Sequence, residues 1–155
     1  MQFELSEEQA ELAEFIRELL GSKSDSASVR ETIAGDASFD AELWSVLCEQ
    51  IGAASLAIPE EYGGAGYSTR ETHLVLEELG YALTPSPFFG SVALAAQAML
   101  ATGNAEACGR LLPEVAAGLG PDTILIILTV YEDAAGAKFT PLNAATLIAG
   151  ASGAP

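Results

Sequence analysis

Ile58-Pro59-Glu60-Glu61-Tyr62-Gly63-Gly64-Ala65-Gly66-Tyr67 lies between two segments of strong helical periodicity, and its reading decides how the rest of the chain is organised. Proline removes a backbone donor and glycine admits positive φ, so the stretch predicts a shaped, non-repetitive turn. Upstream, Ser55-Leu56-Ala57-Ile58 is expected to run extended, because Pro59 disfavours helix in the residue before it. Three glycines could cradle a phosphate. No Lys-Ser/Thr follows them, however, and Gly-Gly-x-Gly lacks the dinucleotide spacing, so a structural turn is favoured. Glu60 and Glu61, read as an acid/base pair, would point to opposite sides of an extended segment. A solvated turn is the better reading for them.

Outward from this turn the chain reads as helices. Ser6-Glu7-Glu8-Gln9 has the form of a capping box, and Leu12, Phe15, Ile16, Leu19 and Leu20 follow as one apolar face, with Gly21 as the expected stop. A short helix is expected over about 26–34, ended by Gly35. Asp40 caps the next one, where Phe39 staples onto Trp44, Leu43, Leu47 and Ile51 continue the stripe, and Gly52 closes it. After the turn, Ser68-Thr69-Arg70-Glu71 is a second capping box. It opens a helix carrying Leu74, Val75 and Leu79, expected to end at Gly80. Thr84-Pro85-Ser86-Pro87 is a rigid connector. A helix over about 91–101 follows, then another over about 105–112 with Pro113 beyond it. From Thr123 to Val130 the run is apolar, β-branched and strand-sized, and residues 139–149 lean towards extended structure. The expected fold is therefore mainly α: a helical domain over 1–118, then the incomplete beginning of a β segment over 119–155.

Composition bounds the function. The chain has 155 residues, half of them hydrophobic, which is enough for one cored domain. Its net charge is −16, from 22 acids against 6 bases. Such a surface repels nucleic acid and anionic membranes, and a coenzyme A ligand would need a local basic patch that the sequence does not display. No apolar run reaches membrane-spanning length and the N-terminus lacks a signal-peptide pattern, so a cytoplasmic location is the default expectation. Cys48 and Cys108 read as buried thiols, Trp44 as a core anchor and the lone His73 as a surface residue. No metal-ligand spacing exists.

The proline-glycine turn resembles the Pro-Glu-x-Tyr-Gly-Gly-x-Gly loop of the flavin-dependent acyl-CoA dehydrogenases. Glu77-Glu78-Leu79-Gly80 and Leu111-Leu112-Pro113 are similar to that family's helix end and to its segment before the β domain. Leu128-Thr129 with Glu132 is similar to its Thr-Glu stretch at the flavin, although Val130 and Tyr131 intervene here. The resemblance implies an N-terminal acyl-CoA dehydrogenase-like helical bundle, with FAD and an acyl-CoA substrate in the complete enzyme. In the family a carboxylate removes the proton α to the thioester carbonyl, the flavin accepts the β hydride, and a trans-2-enoyl-CoA results. The family's base lies in a C-terminal helical domain that this chain lacks, so no catalytic residue is assigned and the 155 residues alone are expected to be inactive.

By the same resemblance the connector and the helix after it line the acyl tunnel. Phe88, Phe89, Ser91 and Leu94 are the substrate-binding candidates, with ordinary core packing as the competing reading, and Thr129 is the cofactor-binding candidate. Thr84-Pro85-Ser86-Pro87-Phe88-Phe89 looks like the connector of actinobacterial members that pair as unlike subunits, some acting on steroid-derived acyl chains. A homo- or hetero-oligomer with related subunits is implied. The alternative reading is a non-catalytic helical module that docks on a flavin-bearing partner.

Overall fold

The computed structural model describes residues 4–35 and 39–118, and those residues are helical, with no strand among them. In chain order they form α1 (Glu7–Lys23), α2 (Ser26–Ala34), α3 (Ala41–Glu49), α4 (Thr69–Tyr81), a π-helical segment (Phe89–Ala96), α5 (Gln97–Thr102) and α6 (Ala105–Ala116). Short 3-10 turns at Ala53–Ser55 and Glu60–Tyr62 lie between α3 and α4. The expected β segment, its strand Thr123–Val130 and Thr129 lie outside the described residues.

Except at the π segment and α5, each helix start is set by a local side chain. Ser6 and Ser68 form complete capping boxes with Gln9 and Glu71, while Asp25, Asp40 and Asn104 cap α2, α3 and α6. Helix ends depart from expectation where distant residues intervene. Gly21 does not stop α1, which continues to Lys23. There the Ser24 amide bonds the Leu20 carbonyl, and the Ser24 hydroxyl shares a 2.8 Å hydrogen bond with Thr84 Oγ1. The same tie moves the end of α4 beyond Gly80. Leu83 takes the left-handed position (φ 54°), and the Thr84 amide closes onto the Leu79 carbonyl. Pro113 lies inside α6, not beyond it. Its missing N–H frees the carbonyl of exposed Gly109, while Leu112, Val115 and Ala116 on the continuing helix are all buried.

One apolar core joins these elements. Ile16 and Leu20 from α1, Trp44 and Leu47 from α3, Val75 and Leu79 from α4, Phe88 and Val92 from the π segment, and Leu112 and Val115 from α6 meet in it. Each such side chain, fully buried, contributes about 1.5–3 kcal/mol. Trp44 meets Phe39 and Phe88 edge-to-face, with ring centroids 6.5 Å apart in both pairs, so the anchor role read for it holds. Its indole N–H also donates to the Gly118 carbonyl at 2.6 Å. Gly118 has φ +93°, and a Cβ there would sit 2.6 Å from that of Cys48, so only glycine fits where α6 closes on α3.

Between α1 and α4 the contact is partly polar. Glu78 is 4% exposed, and Arg17 Nε donates to its Oε2 at 3.0 Å while Nη2 reaches Oε1. This two-point grip supplies the partner that a buried carboxylate requires.

Candidate functional site

Residues 55–58 do not run extended as expected, and the turn that follows is tightly closed. Ala53–Ser55 winds as a 3-10 turn and Leu56 is helical (φ −49°, ψ −56°), so the carbonyls of Ser55, Leu56 and Ile58 are left as acceptors. The amides of Ala65, Tyr67 and Gly66 donate to those three at 2.8–2.9 Å, and those of Tyr62, Gly63 and Gly64 close onto Pro59 and Glu60. The turn folds back so closely that a Cβ on Gly64 would fall 1.9 Å from the Ile58 carbonyl oxygen. Every amide from Tyr62 to Tyr67 is therefore spent within the protein, and none is left to bind a phosphate. Glu60 and Glu61 are exposed, as read from the sequence.

The second irregular segment follows the proline connector. A helix was expected over about 91–101. Instead the chain begins to wind at Phe89 as a π-helix and becomes α-helical only at Gln97. Phe88, Ser91, Val92, Ala95 and Ala96 lie in the core at ordinary three- and four-residue helical spacing, while the i→i+5 winding brings Phe89 and Leu94, five apart, towards one face. The four substrate-binding candidates thus divide between two faces. Phe88 and Ser91 are 0% and 5% exposed, whereas Phe89 and Leu94 are 59% and 41% exposed. Phe88 holds the segment to Trp44, and Phe89 and Leu94 give it an open apolar face.

Other reactive groups are quiet. Burial pushes the Cys48 thiol up to about 12 and raises that of Cys108, so both stay protonated at neutral pH. His73 is exposed, and no group of residues suited to a metal is present among the described residues. No helix among them is long and apolar enough to cross a membrane. The amides of residues 62–67 are not available to a flavin's phosphates, and Thr129 lies outside the described residues. One residue escaped the sequence reading. Thr72 falls on the apolar stripe of α4, with Val75 and Leu79, and is 2% exposed with its hydroxyl unpaired. A polar residue at that place in the stripe was the only signal.

Comparison with known proteins gives a consistent picture. The family model described as "Acyl-CoA dehydrogenase, N-terminal domain" matches residues 6–119. Acyl-CoA dehydrogenase IpdE2 of Mycobacterium tuberculosis is 44% identical over 112 residues, which are 72% of this chain and 34% of that protein. The crystal structure of the ChsE4-ChsE5 complex from Mycobacterium tuberculosis superposes with a TM-score of 0.68 at 30% identity, covering 76% of this chain and 32% of that one. A variant of the Tcur3481-Tcur3483 steroid ACAD gives 0.65 at 31% identity, covering 72% and 30%. The chain spans about a third of the length of these relatives.

Proposed function

This chain belongs to the acyl-CoA dehydrogenase family through that family's N-terminal domain, and from this premise we propose that it supplies one wall of a flavin-dependent enzyme that dehydrogenates an acyl-CoA thioester between its α and β carbons. The observation that carries this reading is the match over residues 6–119, and the exposed apolar side chains of Phe89 and Leu94 support the wall role. Phe89 and Leu94 contact the acyl group through their exposed faces. Phe88 and Ser91 act from beneath, fixing the backbone that carries them. An apolar wall excludes water and orients the chain without taking part in bond changes.

Hydride acceptance is the chemistry that a bound FAD supplies in such an enzyme. Thr129 is the proposed contact from this chain. No residue among these 155 is assigned as the base that takes the α proton, nor as a cationic group for coenzyme A phosphates. With a net charge of −16, the chain itself is a poor host for those phosphates.

Purified protein that is yellow, with a flavin absorbance that bleaches on adding an acyl-CoA, is the expected result for the assembled enzyme. A steroid-derived acyl-CoA belongs among the substrates tried, because one solved relative is described as a steroid ACAD. Colourless protein that gives no such response in any assembly would sink the proposal. The 155 residues alone should produce no enoyl-CoA.

A second reading has its own support. A solved relative is a complex of two named components, and the glycine turn of this chain spends its own amides internally. In that case the chain is a helical subunit docked on a flavin-bearing partner of the same family. Colourless protein that co-purifies with a yellow partner would favour it.

A further inference from the structure

The apolar side of α1 is wider than the core that covers it. Ile16 and Leu20 are fully buried, and Leu12 and Leu19 are half-buried against the core, but Phe15 is 52% exposed. Leu12 and Leu19 stand one turn before and one turn after Phe15, so the three form a continuous ridge. Helix α1 packs chiefly on α4, through the side that carries Gln9 and Arg17, which bond Glu71 and Glu78. Phe15 lies about 120–160° of helix rotation from those two residues, away from that contact. One exposed phenylalanine is ordinary, whereas an apolar ridge on the open flank of a helix has the form of a contact surface.

Charge decides what can cover it. Glu11 and Glu18 stand one turn to either side of Phe15, on the side away from the two leucines, and Glu8 lies two turns before it; all three are exposed. Arg17, the nearest cation along the helix, is taken up by Glu78. A second copy of this chain would bring glutamate against glutamate on the same ridge, and a like-charge rim opposes association. Residues 119–155 carry Asp122, Glu132 and Asp133 against the single base Lys138, so they supply no complementary rim either. Nucleic acid and anionic membranes are repelled by the same carboxylates. The surface that fits is a protein face with an apolar centre and lysine or arginine at its edge.

We propose that the Leu12–Phe15–Leu19 ridge is a docking surface for an unlike protein subunit, which meets it through an apolar centre and a basic rim. Such docking requires neither flavin nor substrate on this chain, so it stands apart from the acyl-CoA reading.

The test uses the full chain and two helical peptides of equal length, one of leucine and lysine in amphipathic order and one of leucine and glutamate. The leucine–lysine peptide should bind wild type, with amide chemical shifts moving along α1. It should bind Phe15→Gln about tenfold more weakly, as expected when a central aromatic is removed. Reversing the rim with Glu11→Lys and Glu18→Lys together should weaken binding similarly. Glu106→Lys with Glu114→Lys, on exposed positions of α6, should change it by less than about twofold. Without peptide, Phe15→Gln should melt within about 3 °C of wild type, and the two should sediment as the same species. A much larger fall in melting temperature would mean that the chain covers the ring itself, and would overturn the proposal. So would a wild-type dimer that Phe15→Gln converts to monomer, since the occupant would then be a second copy. Equal losses in the α1 and α6 reversals would reduce the effect to general charge and overturn it as well. Equal behaviour of the two peptides, including no binding of either, would do the same.

Discussion

The turn at Ile58–Tyr67 and the π segment at Phe89–Ala96 are both departures from regular helix, and they resolve their backbones in opposite ways. The turn spends every amide from Tyr62 to Tyr67 internally and presses Gly64 onto the Ile58 carbonyl. The π segment buries one face and exposes Phe89 and Leu94 on another. Irregular backbone that closes on itself is scaffold. Irregular backbone that leaves apolar surface open is where a ligand has something to bind. Helix α4 joins the two, since its N-cap Ser68 follows the turn directly and its C-terminus runs into the connector before the π segment.

The contrast can be broken most severely at Gly64. Gly64→Ala should lose more than about 4 kcal/mol or fail to fold, because the obstruction is backbone and not a movable side chain. Urea denaturation reads this directly, and a change below about 1 kcal/mol would mean that the turn is not closed as described.

Next in size is the connector end of α4. Arg17→Met strands the buried Glu78 carboxylate and should lower the melting temperature, with hydrogen exchange rising first near residues 78–84. Adding Glu78→Leu should restore most of the loss. If the double variant is no better than the single, the pair is not coupled as its geometry indicates.

The turn end of α4 responds to pH. Burial works against the Glu71 charge, but hydrogen bonds from the Ser68 hydroxyl, the Gln9 amide and backbone N–H groups outweigh it and hold the carboxyl below its ordinary 4.5. Its folded pKa is thus the lower one. Its contribution is fully present above about pH 4.5 and is lost as pH falls through the folded value. Denaturant midpoints measured from pH 6 down to about pH 3 should fall, and Glu71→Gln should flatten that fall. An unchanged slope in the variant would remove Glu71 from the account.

The smallest stability effect belongs to the open face. Phe89→Ser should change stability by no more than about 0.5 kcal/mol, because the ring is already 59% exposed, yet it should weaken acyl-CoA binding in the assembled enzyme. Phe88→Ala is a poorer probe of the wall: that ring is fully buried, and its removal costs about 3 kcal/mol or more through the core alone. Unaltered binding in Phe89→Ser would end the distinction drawn between the two segments.

Capped helix beginnings were legible from residue order, because a cap is satisfied within a few residues of itself, as in Ser6 with Gln9, Asp40 with Leu43 and Ser68 with Glu71; the uncapped starts at Phe89 and Gln97 were not. The inert thiols, the family turn and the apolar stripes were legible too, except that Phe15, read as part of the α1 face, is 52% exposed. Helix ends at Lys23 and Tyr81 were not, since they depend on Ser24 meeting Thr84 from 60 residues away. Nor was the burial of Glu78, which requires Arg17 at a separation of 61, or the π winding that sets Phe89 and Leu94, five residues apart, towards one exposed face. Local hydrogen bonds and periodicity are written in neighbouring residues. Which side chain is left facing the core, the solvent or an absent partner is decided only when distant segments compete for the same space.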